Sequence, residues 1–214
     1  EFIDRKACEL KLPSRARFEH PLLERVVRIG LAHIDATFIG DHPKYGVGNY
    51  AQRRHDSFPP IIVAVVDALT LWGMAPRARR LFSYWLRHFV LDDGNINYYG
   101  TSLSEYGQLL TTTRRLMARG SKRDWLVQHE PYLSRLACHL QGCLRETGRA
   151  QLVAGVPEAD ERKATATYFH NNAWMARGLR DWAYLLHLYL KRPKEAGSFR
   201  RDAGSLRRAL NNAC

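Results

Sequence analysis

The chain has 214 residues, 45% of them hydrophobic and 25% charged, with a formal net charge of +12 at pH 7. That is enough apolar side chain for one buried core and too much for a disordered chain. No apolar run reaches the roughly 18 residues of a bilayer span, and the N-terminal residues carry no charged start leading into an apolar stretch, so a soluble protein with no membrane partner is expected.

Apolar periodicity predicts six main helices and almost no strand, hence an all-α chain of antiparallel hairpins. Residues 1–20 read as an N-terminal extension, 21–192 as the helical-hairpin domain and 193–214 as a basic C-terminal tail. The first helix covers about 21–38, where Leu22, Leu23, Val26, Val27, Ile29, Leu31 and Ile34 form a broad apolar face. The second starts at Pro59 or Pro60, residues suited to a first helical turn, and runs to about 72; Ile61 to Val66 is apolar all round, which predicts a buried helix. The third spans about 75–90, with Leu81, Tyr84, Trp85 and Phe89 inward.

The fourth opens at Ser102-Leu103-Ser104-Glu105, a capping-box pattern, and reaches about 119. The fifth follows Gly120-Ser121 and extends to about 147, broken or restarted near Pro131. The sixth runs from about 172 to 190, and the tail carries one short helix near 205–210. Cys138 and Cys143 fall on different faces of the fifth helix, and with Cys8 and Cys214 they match neither a zinc pattern nor a redox pair, which leans toward free thiols and a reducing, cytoplasmic setting.

Long polar connections precede the second, fourth and sixth helices, whereas the second and third, and the fourth and fifth, are joined by a few residues. Short turns join antiparallel neighbours, so the long loops gather at one end of the array, where helix N-termini favour anionic and polar ligands.

Those loops carry the candidate chemistry. The first contains Asp41-His42-Pro43-Lys44 and then Arg54-His55-Asp56; the second contains Asp92-Asp93-Gly94-Asn95 and Tyr98-Tyr99; the third contains Glu158, Asp160 and Glu161, then Tyr168, His170, Asn171, Asn172, Trp174 and Arg177. Rings that stack on pyranose faces, together with amides and acids that bind hydroxyls, suit an oligosaccharide or polysaccharide. Hydrolysis of a glycosidic bond needs a protonated carboxylic acid and a second carboxylate. Glu158 is the first candidate for the acid, because a loop end before a buried helix can desolvate it; Asp160 and Glu161 are its rivals, and Asp56 is the candidate partner carboxylate or a hydroxyl-binding group. Pairing with neighbouring arginines, or helix capping in the case of Asp56, would account for the same residues without catalysis.

No cofactor is implied. His55 and His170 lack a third ligand at metal-like spacing, and the Asp92 segment lacks the late acid of a calcium loop, so a turn explains it better. The basic residues are mostly arginine, spread along the whole chain with no nucleic-acid motif, which argues against a nucleic-acid partner and leaves an acidic polymer open.

The loop pattern, Arg54-His55-Asp56 entering a buried helix, and Leu152 to Glu161 leading to Asn171-Asn172-Ala173-Trp174 together resemble the six-hairpin glycosidase superfamily of (α/α)6 toroids. The resemblance implies a site in a funnel at the loop face, with Glu158, Asp160 or Glu161 as general acid. It covers about half of such a ring, so the chain would be a fragment, a self-associating half-ring joined through its open edge, or a binding module. Two other readings stand beside hydrolysis. One is a polysaccharide lyase using Tyr168, His170, Asn171 and Arg177 on an acidic polymer. The other is a noncatalytic helical interaction module.

Overall fold

The computed structural model describes residues 1–9, 12, 16–44, 53–98, 100, 102–120, 122–148, 151–158 and 165–213. Helix α1 (Phe2–Glu9) precedes α2 (Pro21–Ala36). A two-residue antiparallel pair, β1 (Phe38–Ile39) and β2 (His42–Pro43), and a 3-10 turn at Arg53–Ser57 then lead to α3 (Pro59–Leu71) and α4 (Ala75–Phe89). Helices α5 (Leu103–Ala118) and α6 (Arg123–Thr147) follow. A second small pair, β3 (Ala154–Gly155) with β4 (Ala166–Thr167), leads to α7 (Phe169–Leu188) and α8 (Pro193–Asn212). The fold is all-α, built of helical hairpins. Among the described residues no helix is long and apolar enough to cross a membrane.

The three hairpins α3–α4, α5–α6 and α7–α8 lie side by side in two layers. Helix α5 packs between α3 and α7, while α6 touches both α4 and α8. Each short turn reverses the chain, so α3, α5 and α7 share one direction and begin at one rim. These three are also the helices whose sequences are least divided into polar and apolar faces. Ile62, Val65, Val66 and Leu69 of α3 join one core with Leu109, Leu110 and Leu116 of α5 and Leu179, Trp182 and Leu186 of α7. Trp85 and Trp182 are fully buried.

Local chemistry sets the helix ends. Prolines occupy the first turns of α2, α3, α4 and α8, where a missing N–H is harmless. The capping box expected at α5 forms: the Ser102 amide donates to Glu105 Oε2 at 3.1 Å, and Ser102 Oγ accepts from the Ser104 amide at 3.2 Å.

Four features depart from the sequence reading. The extension contains α1, which packs on α2. Helix α6 runs unbroken through Pro131, since Pro131 and Val127 four residues earlier are both exposed and the carbonyl that loses its amide partner can be hydrated. The segment expected to be a tail is the 20-residue helix α8, whose Ala196, Phe199, Ala203 and Leu206 join the core against α7. Finally, the broad apolar face of α2 is only half used. Leu31 is buried and Val27 and Ile34 pack at the core margin, but Leu22, Leu23 and Val26 are each more than half exposed.

Polar contacts tie α2 to the hairpins. Arg77 of α4 donates to Asp35 Oδ1 at 2.8 Å, to Asp41 Oδ1 at 2.5 Å and to the Gly40 carbonyl at 2.7 Å, which clamps the β1–β2 turn to α4. Asp67, in the apolar α3, pairs with Arg115 of α5.

Candidate functional site

The shared direction of α3, α5 and α7 brings the three long connections to one rim, and buried or half-buried hydrogen bonds join them. Ser57 Oγ, just before α3, donates to the Asn97 carbonyl at 2.5 Å. The Tyr98 ring meets His55 edge-on at 5.8 Å and lies 5.3 Å from Phe58. The second loop is anchored at its tip: a Cβ on Gly94, which has φ +86°, would lie 2.5 Å from the Arg135 carbonyl of α6. Asp93 there accepts from the Asn95 amide and side chain, the turn expected for this segment, and those bonds hold its carboxyl below the usual range. His139 stacks on Tyr106 beneath this loop, and burial pushes the imidazole below its ordinary pKa.

From the second loop the network passes to the third. Ser102 Oγ donates to Asn171 Oδ1 at 2.9 Å, and Asn171 Nδ2 donates to the Val156 carbonyl at 2.8 Å. Asn172 pairs with Val153 in both directions: the Val153 amide donates to Asn172 Oδ1 at 2.8 Å, and Asn172 Nδ2 donates to the Val153 carbonyl at 3.0 Å. Both asparagines are fully buried. They were expected among ligand-binding groups; the structure instead assigns them to holding residues 153–156 against the start of α7, because their amides are already used inside the protein.

The first loop contains a linked group that sequence spacing does not reveal. Asp56 is only 1% exposed. Its Oδ2 lies 3.2 Å from His42 Nε2 and 3.8 Å from Lys44 Nζ, and His42 Nδ1 lies 2.6 Å from the Tyr84 hydroxyl. The tautomer that satisfies both contacts has Nε2–H donating to Asp56 and Nδ1 accepting the phenolic O–H. Asp56 thus orients an imidazole, which in turn polarises a half-buried phenol. Tyr84 also stacks on His88 at 3.8 Å. Expected to be a partner carboxylate or a hydroxyl-binding group, Asp56 is turned inward, between the His42 imidazole and the Lys44 ammonium. Helical periodicity turns Tyr84 inward, and its ring does pack against the core, but periodicity gives no sign of the hydroxyl contact; His42 sits 14 residues from Asp56, a separation with no helical or strand register to flag it.

Glu158 is exposed at the edge of the described segment, and not in the desolvated position expected of it. Tyr99, Asp160 and Glu161 lie outside the described residues, as does the side chain of Arg54. Tyr168 caps the start of α7, with its carbonyl accepting from Asn172 Nδ2 at 2.9 Å and its ring 5.9 Å from that of His170. His170 is exposed, and its Nε2 donates to the Pro157 carbonyl at 2.6 Å, a further hold on the third loop. Trp174 is half-buried one turn into α7. Arg177 lies farther along that helix, where its Nε donates at 2.7 Å to Asp181, so it belongs to a different cluster from the rim.

The rim therefore gathers the exposed Glu158, the buried Asp56 with its imidazole and phenol, and a polar frame. Among the described residues no group of three or more His, Cys, Asp or Glu could hold a metal ion. The chain matches no protein-family model, no curated protein and no solved structure.

Proposed function

We propose that this chain carries the loop face of a glycoside hydrolase of six-hairpin type, acting on an oligosaccharide or polysaccharide. The observation that carries the reading is the convergence of three long connections at one rim of two-layered hairpins, through Ser57–Asn97 and Ser102–Asn171–Val156. Three hairpins side by side are half of a twelve-helix ring, and such a ring places its ligand where the inner helices begin. Glu158 is the acid candidate, with Asp160 and Glu161 beside it in sequence. Its exposure fits a site that closes only when substrate, a second copy or further chain covers the rim, a step that would supply the desolvation a general acid needs.

The test is release of reducing ends from a panel of neutral and acidic polysaccharides. Glu158→Gln is expected to lower turnover by about 10²–10⁴. Unchanged turnover in that variant excludes Glu158 as the acid, and silence of the folded protein on every substrate counts against the hydrolase reading.

A second reading, a lyase acting on a uronate polymer, is favoured by Asp56–His42–Tyr84. If His42 Nδ1 takes the phenolic proton, the Tyr84 oxygen can accept the proton α to a carboxylate, the step that begins β-elimination. It predicts ultraviolet-absorbing unsaturated ends, abolished by Tyr84→Phe and insensitive to Glu158→Gln.

A further inference from the structure

Five arginines line a part of the surface that the rim does not use. Helices α7 and α8 run antiparallel and leave a groove of about 380 Å³ between them, with a second hollow of about 370 Å³ adjoining it. Arg177, Arg180 and Arg200 line both, Arg207 joins them in the first and Arg114 in the second. The floor is small and apolar, made by Ala173, Ala176, Ala203 and Gly204.

Among the described residues the carboxylate paired with these guanidinium groups is Asp181, which is fully buried and held by Arg114 and Arg177. It neutralises part of their charge and fixes their planes. Arg180, Arg200 and Arg207 are exposed and have no ion pair among the described residues. Guanidinium groups lining one groove repel one another, and an anion in the groove relieves that repulsion while accepting planar hydrogen bonds from them.

Exposed rings flank the cluster. Phe169 lines one end and is 54% exposed; Tyr184 lines the other, is 42% exposed, and carries the Arg114 guanidinium over its ring at 4.4 Å. The two lie 15 residues apart on one helix, roughly 22 Å at 1.5 Å per residue. Repeated cations between two rings, along an open groove with a small-residue floor, suit an extended polyanion better than a single-headed ligand. The aromatic rings stand at the ends and are not interleaved with the cations, which gives no ladder for stacking successive nucleic-acid bases.

We infer that the α7–α8 groove binds an acidic oligosaccharide, its carboxylate or sulfate groups on Arg177, Arg180, Arg200 and Arg207 and its sugar faces on Phe169 and Tyr184. The carbohydrate class of the ligand rests on the function proposed above; its negative charge rests on the groove alone. The groove would hold an acidic chain away from the reacting bond and so raise its local concentration at the rim.

The experiment is calorimetric titration of the full chain with a uronate hexasaccharide, compared with an uncharged hexasaccharide and a single-stranded oligonucleotide of equal charge. Arg180→Gln/Arg200→Gln is the groove variant. Arg119→Gln/Arg145→Gln removes the same charge from exposed positions elsewhere, and all four side chains are surface groups whose loss leaves the core intact. The inference expects the uronate to bind at least tenfold tighter than either comparison ligand, with a loss of tenfold or more in the groove variant and less than twofold in the other. Equal loss in both variants would reduce the effect to net charge and overturn it. Tighter binding of the oligonucleotide would replace the glycan with a nucleic acid. Since binding is read without turnover, Glu158→Gln separates the two proposals: it removes hydrolysis and leaves this titration unchanged.

Discussion

Gly107 of α5 and Gly178 of α7 face each other at backbone contact. A Cβ built on Gly178 would sit 2.5 Å from the Gly107 Cα, and one built on Gly107 would sit 2.1 Å from the Trp174 carbonyl oxygen. Helices α5 and α7 can approach this closely only because neither residue has a side chain. That approach also brings Asn171 and Asn172, two turns earlier on α7, within reach of Ser102 and the third loop.

Gly178→Ala is therefore expected to destabilise the fold. Overpacking of a tight contact costs about 1–3 kcal/mol, and here the obstacle is backbone, which yields less easily than a side chain. The loss should exceed the small gain in helix propensity from alanine, about 1 kcal/mol. Urea unfolding checks this, and a midpoint equal to or above that of the parent protein would show that α5 and α7 are not in contact.

Asp181→Asn should be among the most damaging single substitutions. It leaves Arg114 and Arg177 facing a buried amide. Breaking a fully buried pair costs about 3–5 kcal/mol. Both guanidinium groups are partly solvated, which screens the loss to roughly 2–3 kcal/mol. Thermal unfolding of Asp181→Asn beside Asp67→Asn, whose pair with Arg115 is more exposed, should show the larger drop at Asp181.

Asn172→Ala removes both hydrogen bonds to Val153 and leaves that residue's amide and carbonyl without their partner. A cost of about 1–3 kcal/mol per stranded buried group applies locally. Hydrogen exchange over residues 151–158 should accelerate well beyond the change in global stability. Exchange that tracks global stability alone would mean the loop is held by other contacts.

Stability should fall in mild acid. Burial pushes His129 below its ordinary pKa, with Arg87 adding to the effect against a hydrogen bond to the Trp125 carbonyl, and burial does the same to His139. For both, the unfolded chain takes up the proton first. Their contribution is thus complete above an unfolded pKa near 6.5 and is lost as pH falls from there toward the folded value, with a slope of up to about 1.4 kcal/mol per pH unit per group. His129→Phe should flatten the dependence of the urea midpoint between pH 6.5 and 5 by one group's share. An unaltered slope would show that His129 does not titrate in this range.

Periodicity and end chemistry determined much of this protein. The apolar spacing of residues 59–72, 75–90 and 102–119 and the capping residues at Ser102 and Glu105 are local properties, and each appears as a helix near its expected bounds. The alternation of short and long connections, also a sequence property, led to a common rim for the loops.

Tertiary structure decided the rest, for reasons no local pattern contains. Pro131 remains inside a helix because both neighbours of the broken bond are exposed, and α8 spans its whole segment because Phe199 and Leu206 find a partner in α7. Polar residues in the third connection read alike in sequence, yet Asn171 and Asn172 are buried fasteners while Glu158 remains at the surface. His42, Asp56 and Tyr84 meet where β2 packs on α4 and on the 3-10 turn, with Arg77 clamping the β1–β2 turn to α4. A polar side chain's role depends on which groups reach it through space, and that was settled by the glycine contact between α5 and α7 and by the ion pairs across helices.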